Sequence, residues 1–181
     1  MQTMKILSTT HRVRGAARLP VLASLLWAWI PMLATAADTD AGNVTPQSVG
    51  DEQFDALGEE ATGPVCAVAC HGWDMIFGGP RRTPADWDSL IDDMVGRGAE
   101  ASDAQLDLIA RYLKWSWGLV WINTASAGDL VAVLDLPEDQ AEAIVAFRKA
   151  NGKFADLASL EKVPGVDAAA IDDQADAIKF N

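Results

Sequence analysis

Cys66-Ala67-Val68-Ala69-Cys70-His71 is the stretch that decides how the rest of this 181-residue chain is read. It holds both cysteines of the sequence, and one of the two histidines follows the second cysteine directly. Two thiols followed at once by an imidazole supply what a c-type haem needs, thioether bonds to the macrocycle and one axial nitrogen on iron. The usual spacing is C-x-x-C-H; here three residues separate the thiols. A small-loop disulfide is the competing reading, since an oxidising compartment tolerates one. Structural zinc takes four Cys or His ligands, and the remaining histidine, His11, lies in a segment read below as removed. One covalent haem c is therefore the expected cofactor.

Towards the N-terminus, residues 1–36 read as a secretory signal. Lys5, Arg12, Arg14 and Arg18 form a basic start, Leu19 to Leu33 an apolar run, and Ala34-Thr35-Ala36 an A-x-A cleavage site. The apolar run is about 15 residues long and broken by Pro31, short of the roughly 20 that span a bilayer. Export to the periplasm suits thiols that meet haem or each other. The segment carries four of the 14 basic residues and none of the 26 acidic ones, so the remainder has ten against 26, a net charge of −16. Such a surface repels phosphates and is steered towards basic partners. Residues 37–50 are small and polar and read as a flexible leader.

The chain around and after the haem stretch reads as helical throughout, giving an all-α protein. Asp51 to Glu60 is a short helix with Phe54 and Leu57 on one face, ended by Gly63-Pro64. Thr83-Pro84-Ala85-Asp86 supplies a capped helix start, and Trp87, Leu90, Ile91 and Met94 follow at i, i+3, i+4 and i+7 as one apolar stripe. Ser102 and Gln105 form a second capping box before the stripe Leu106, Ile109, Ala110 and Leu113. For the sixth position on iron the sequence offers Met75 and Met94. Met75 lies four residues past His71 and would have to stay on the same haem face or swing around the ring. Met94, on a separate inward-facing stripe, can approach the opposite face and is the expected ligand, with core filling as its competing role.

Cys70-His71, Arg81-Arg82-Thr83, Trp87, Met94, Gly98-Ala99 and Tyr112-Leu113 together resemble the small bacterial cytochrome c domains with an R-R-T-x3-W-x6-M pattern, which accompany periplasmic dehydrogenases. The resemblance covers about residues 50–118. It implies a cytochrome c-like domain over 51–118, His71 and Met94 as the iron ligands, and Cys66 and Cys70 as the points of attachment. It also implies that Arg81 and Arg82 lie near a haem propionate; a plain solvated arginine pair is the other reading. The C-x3-C-H spacing departs from the family and leaves one or two thioethers open, with Ala67 standing where the first cysteine usually is.

From residue 119 the pattern changes. Ile122-Asn123-Thr124-Ala125-Ser126 opens two helix–turn–helix units in tandem, the first turning at Leu134-Asp135-Leu136-Pro137 and the second at Val163-Pro164-Gly165-Val166. Residues 119–181 resemble the tandem helix-hairpin-helix domain of competence-type DNA-binding proteins, which bind phosphates through backbone N–H groups of a glycine-bearing hairpin. The second hairpin keeps Gly165; the first reads Leu136-Pro137-Glu138-Asp139, without glycine and with two carboxylates. This part holds five basic and eleven acidic residues, net −6, whereas DNA affinity rests largely on cations facing phosphate.

The expectation is a periplasmic mono-haem electron carrier. It receives single electrons from a dehydrogenase and passes them to a respiratory acceptor, with the hairpin domain as docking module. No residues form an acid–base or nucleophile set, so an enzyme in its own right is not expected. DNA binding or uptake is the alternative, and a haem sensor with an open sixth position is a third class.

Overall fold

The computed structural model of the protein describes residues 44–181, so the signal segment and most of the leader lie outside the described residues. What is described is mostly helical, as expected, and builds two adjoining hydrophobic cores. No helix among the described residues is long and apolar enough to cross a membrane.

The first core is gathered by α1 (Pro46–Val49), α2 (Asp51–Thr62), a π-helical turn (Gly63–Val68), α3 (Trp73–Phe77), α4 (Pro84–Gly96) and α5 (Asp103–Trp117). Phe54, Trp87, Ile109, Tyr112 and Leu113 form its centre. The leader differs from expectation: Thr45 caps the single turn α1, and Val44 is buried in this core. One apolar residue after a run of polar ones gives no period, so burial alone identifies it. α2 ends at Gly63-Pro64 as read, but the chain continues from there as the π turn, where Pro64 has no N–H to give to the preceding turn. The two capping boxes form as read, Thr83 with Asp86 at α4 and Ser102 with Gln105 at α5. α2 can approach α5 closely because residue 58 is glycine; a Cβ there would overlap Tyr112.

The second core belongs to the hairpin lobe: α6 (Ala127–Leu134), α7 (Glu138–Asn151), α8 (Leu157–Leu160) and α9 (Ala168–Asp173). Leu130, Leu134, Leu136, Ile144, Leu160 and Ile171 are fully buried there. A short parallel pair closes the lobe, β1 (Val120–Trp121) beside β2 (Ile178–Lys179), with Val120 opposite Ile178. Two-residue strands lack the length to show alternation, and the sequence gives no sign of them. The Arg148 guanidinium reaches back from α7 to donate to the carbonyls of Ile122 and Ala125. The lobes are joined by a seam: Leu119 N–H donates to Arg82 O at 2.8 Å, Arg82 N–H to Trp117 O at 3.4 Å, and the Trp87 indole to Trp117 O at 3.3 Å.

Candidate functional site

The stripe of α4 is apolar, yet only Trp87 of its four members is fully buried; Leu90, Ile91 and Met94 are half-buried. They face a cavity of about 190 Å³. Leu106, Ile109 and Leu113 of α5 extend the same apolar wall, and the π turn and α3 supply the other with Val65, Cys66, His71, Met75 and Ile76. An amphipathic helix normally presses its stripe against another element. Here two helices present theirs to a space whose far side carries a thiol and an imidazole.

The donors in this space are unusual for an apolar cavity. His71 has its Nδ1 buried with no hydrogen-bond partner among the described residues. A buried ring nitrogen left so is costly; Thr62 Oγ1 and Trp115 Nε1, away from the cavity, are likewise buried without a partner among the described residues. Cys66 lies in the π turn, half-buried, and Cys70 is exposed; both are free thiols. Burial, and then the neighbouring Cys70, push the Cys66 thiol above its ordinary value. Met94 lines the cavity from α4, while Met75 lines it from α3 with 68 % of its surface exposed. No cluster of three or more His, Cys, Asp or Glu side chains that could hold a bare metal ion occurs among the described residues. The donors lining this space are the His71 ring and the Cys66 thiol on the π-turn and α3 side, with the Met75 thioether, and the Met94 thioether on the α4 side.

The arginine pair is split by the fold. Arg82 lines the cavity, its guanidinium 5.8 Å from the Trp87 ring centroid. Arg81 points away to the lobe seam, where it donates to Ser116 O at 3.4 Å and Gly118 O at 3.2 Å and sits 4.5 Å from the Trp117 ring centroid. An R-R dipeptide in extended chain puts successive side chains on opposite faces, so one cavity cannot take both. Of the residues expected around haem, Cys66, His71, Arg82 and Met94 come together; Cys70 stands beside them at the surface, and Arg81 does not join them.

The hairpins have their own electrostatics. The first turns through Asp135 at φ 53°, the left-handed position a glycine usually fills. Gln47 Nε2 donates to Leu136 O beside its tip at 3.3 Å across 89 residues of sequence, a contact no local pattern announces, while Pro137, Glu138 and Asp139 stay exposed. Glu138 and Asp139 occupy the first turn of α7. In the second hairpin Gly165 keeps φ 85°, but the Asp167 carboxylate accepts from Ala169 N–H at 2.9 Å and Ala170 N–H at 3.4 Å. Gln140 Oε1 takes the Asp167 N–H at 3.0 Å. The α9 N–H groups that would face an external anion already hold the chain's own carboxylate.

Residues 116–179 match the helix-hairpin-helix motif family, which accounts for the C-terminal lobe together with the end of α5. No curated protein and no solved structure matches the chain.

Proposed function

We propose that the N-terminal lobe is a haem c-binding unit of the cytochrome c type and that the protein is an exported carrier of single electrons. The observation that carries this reading is the cavity itself: two apolar helix faces opposite Cys66 and a His71 ring whose buried Nδ1 has no hydrogen-bond partner among the described residues. When bound, haem supplies an iron that takes up and releases one electron. His71 would give the nitrogen ligand from the π-turn side and Met94 the thioether from α4. A thioether ligand raises the reduction potential, which suits a carrier placed between a periplasmic dehydrogenase and a respiratory acceptor. Cys66 would hold the macrocycle covalently, and Arg82 would offer its cation to a propionate. The apolar walls would exclude water, so that the charge change on iron is felt strongly.

The test is spectroscopic. Protein exported by a host able to mature c-type haem is expected to be low-spin, with the band of sulfur ligation in its ferric form. Met94→Ala should abolish that band and let the ferrous protein bind carbon monoxide, while Met75→Ala should leave both properties unchanged. Colourless protein with Cys66 and Cys70 joined as a disulfide would end the reading.

A second reading, nucleic-acid binding through the hairpin lobe, is favoured by the family match over residues 116–179. On family grounds alone it has the better support. The local chemistry opposes it: net −6 over residues 119–181, a first hairpin whose exposed turn carries Glu138 and Asp139, and a second whose helix N–H groups are taken by Asp167. A gel shift on duplex DNA separates the two. A phosphate reader binds at low salt and loses affinity steeply as salt rises; the carrier reading expects no shift at either salt.

A further inference from the structure

We infer that a second cavity, of about 460 Å³ and formed where the leader turn meets both lobes, is a binding site for a small organic cation with an aromatic body. It shares no lining residue with the first cavity, and the inference stands apart from the haem reading. Its size falls within the roughly 300–1,000 Å³ of small-molecule sites.

The cavity exists because α6 carries more apolar surface than its own lobe buries. It turns Leu130, Val133 and Leu134 into the hairpin core, where each is at most 1 % exposed. Its other side is apolar too: at about 100° per residue, Ala127, Gly128, Val131 and Ala132 fall within about 140° of one another around the axis. A helix apolar all round is normally buried all round. Here the second side lines the cavity, and Gly128 in it is exposed. The first lobe supplies Phe54 of α2 and Trp115 of α5, their rings edge to face with centroids 5.3 Å apart at 88°. Small side chains on α6 leave the space, and the rings give a flat ligand surface to pack on. The leader turn lines the same space with Pro46 and Gln47, held there by the Gln47 bond to Leu136 O.

Charge selects the sign of the ligand. Arg111, Asp135 and Glu138 also line the cavity. Arg111 and Asp135 each have a partner within the chain, whereas Glu138 is exposed and in no ion pair among the described residues. α7 begins here without a side-chain cap, and the carboxylates of Glu138 and Asp139 outweigh the partial positive charge of that helix end. The surplus at the rim is therefore negative, in a chain of net charge −12 that draws cations from a distance. Trp115 adds an indole, the ring that attracts an ammonium most strongly. Apolar walls with an aromatic side and one unpaired carboxylate at the rim describe an aryl-alkyl ammonium ion: the ring enters, and the charged end stays beside Glu138.

The experiment is isothermal titration calorimetry of the full chain with 2-phenylethylammonium, 2-phenylethanol and phenylacetate, which share one aromatic body and differ in charge. One saturable site is expected, tightest for the ammonium, weaker for the alcohol and weakest for the carboxylate. A Cβ at residue 128 meets only Ser126 Oγ, at 3.8 Å. Gly128→Phe can therefore put a ring into the cavity without displacing the chain, and should weaken ammonium and alcohol alike by about tenfold or more. Glu138→Gln, at an exposed position, should weaken the ammonium about two- to fivefold and leave the alcohol unchanged. Phenylacetate bound as tightly as the ammonium would overturn the proposal. So would ammonium heats that never saturate, or a folded Gly128→Phe protein that binds the ammonium as wild type does. Should Gly128→Phe not fold, the Glu138→Gln comparison decides alone, and an unchanged ammonium affinity there overturns the proposal. Haem content enters none of these readings, so their failure is distinct from that of the haem reading.

Discussion

Gly58→Ala and Gly96→Ala make the same chemical change in two helices, and the structure expects opposite signs. Alanine in place of a helix-interior glycine stabilises by about 1 kcal/mol through backbone entropy and propensity. At Gly96, the last residue of α4, a Cβ meets nothing within 4 Å, so part of that gain, about 0.5 kcal/mol, should appear. At Gly58 the new Cβ would overlap Cβ, Cγ and Cδ2 of Tyr112. Those atoms are the root of a ring that is 2 % exposed, so no free torsion clears them. α2 must then retreat from α5 by about an ångström or more before carbon–carbon contacts become favourable. Overpacking of this kind costs about 1–3 kcal/mol and occasionally more. With the backbone gain of about 1 kcal/mol subtracted, the net loss is up to about 2 kcal/mol, a fall in Tm of up to about 8 °C for a domain of this size. Thermal unfolding followed by far-ultraviolet circular dichroism reads both variants. A Gly58→Ala protein as stable as Gly96→Ala would refute the close packing of α2 on α5, and with it the placing of the π turn opposite the α5 wall.

Tyr112 is the chain's only tyrosine, so phenolate absorbance reports it alone. Burial, then the carboxylates of Asp55 and Glu59 and a hydrogen bond to Asp55, push its phenol well above the usual 10. A raised acid favours the protonated fold, so its contribution is complete below pH 10 and is lost as pH climbs above it. Absorbance should rise only together with unfolding, and a simple titration near pH 10 with the helices intact would contradict this. Arg148→Met removes two guanidinium bonds to backbone carbonyls in a half-buried setting. A loss of about 2–4 kcal/mol in urea unfolding is expected, against no change if the guanidinium is merely solvated. In haem-free reduced protein, iodoacetamide at neutral pH should label exposed Cys70 well before Cys66, whose thiol is held protonated by burial. Peptide mass spectrometry after short exposures checks the order, and equal rates would deny Cys66 its place in the cavity wall.

The helices were legible because their signals are local. Thr83-Pro84 with Asp86 and Ser102 with Gln105 mark starts by hydrogen bonds three residues apart, and those bonds form. The half-burial of Leu90, Ile91 and Met94 was not legible, since a stripe facing a cavity and a stripe facing a core are the same letters. The arginine pair shows the same limit. Sequence places Arg81 and Arg82 together, but extended backbone sends one to the cavity and the other to the Ser116 and Gly118 carbonyls. The π turn was illegible for another reason. Its cause, Pro64, reads as a helix stop, and only a chain with enough packing around it can continue through one.

The hairpin lobe raises a question that its charge alone does not answer, because an acidic protein can still hold one phosphate at a well-made helix end. A helix N-terminus offers few free N–H groups, and side chains and external anions compete for the same ones. In this lobe side chains have taken them at three of the four helices: Ser126 with Asp129 at α6, Asp156 with Ser159 at α8, and Asp167 at α9. The fourth, α7, starts with Glu138 and Asp139 beside a hairpin whose Leu136 carbonyl accepts from Gln47. At α8 and α9 an incoming phosphate would have to displace a carboxylate, Asp156 or Asp167, already tethered at a high effective concentration. The same capping that makes these short helices stable thus uses up the donors a phosphate needs. Of these four helices α7 alone lacks a side-chain cap, and its first turn carries Glu138 and Asp139, which repel a phosphate.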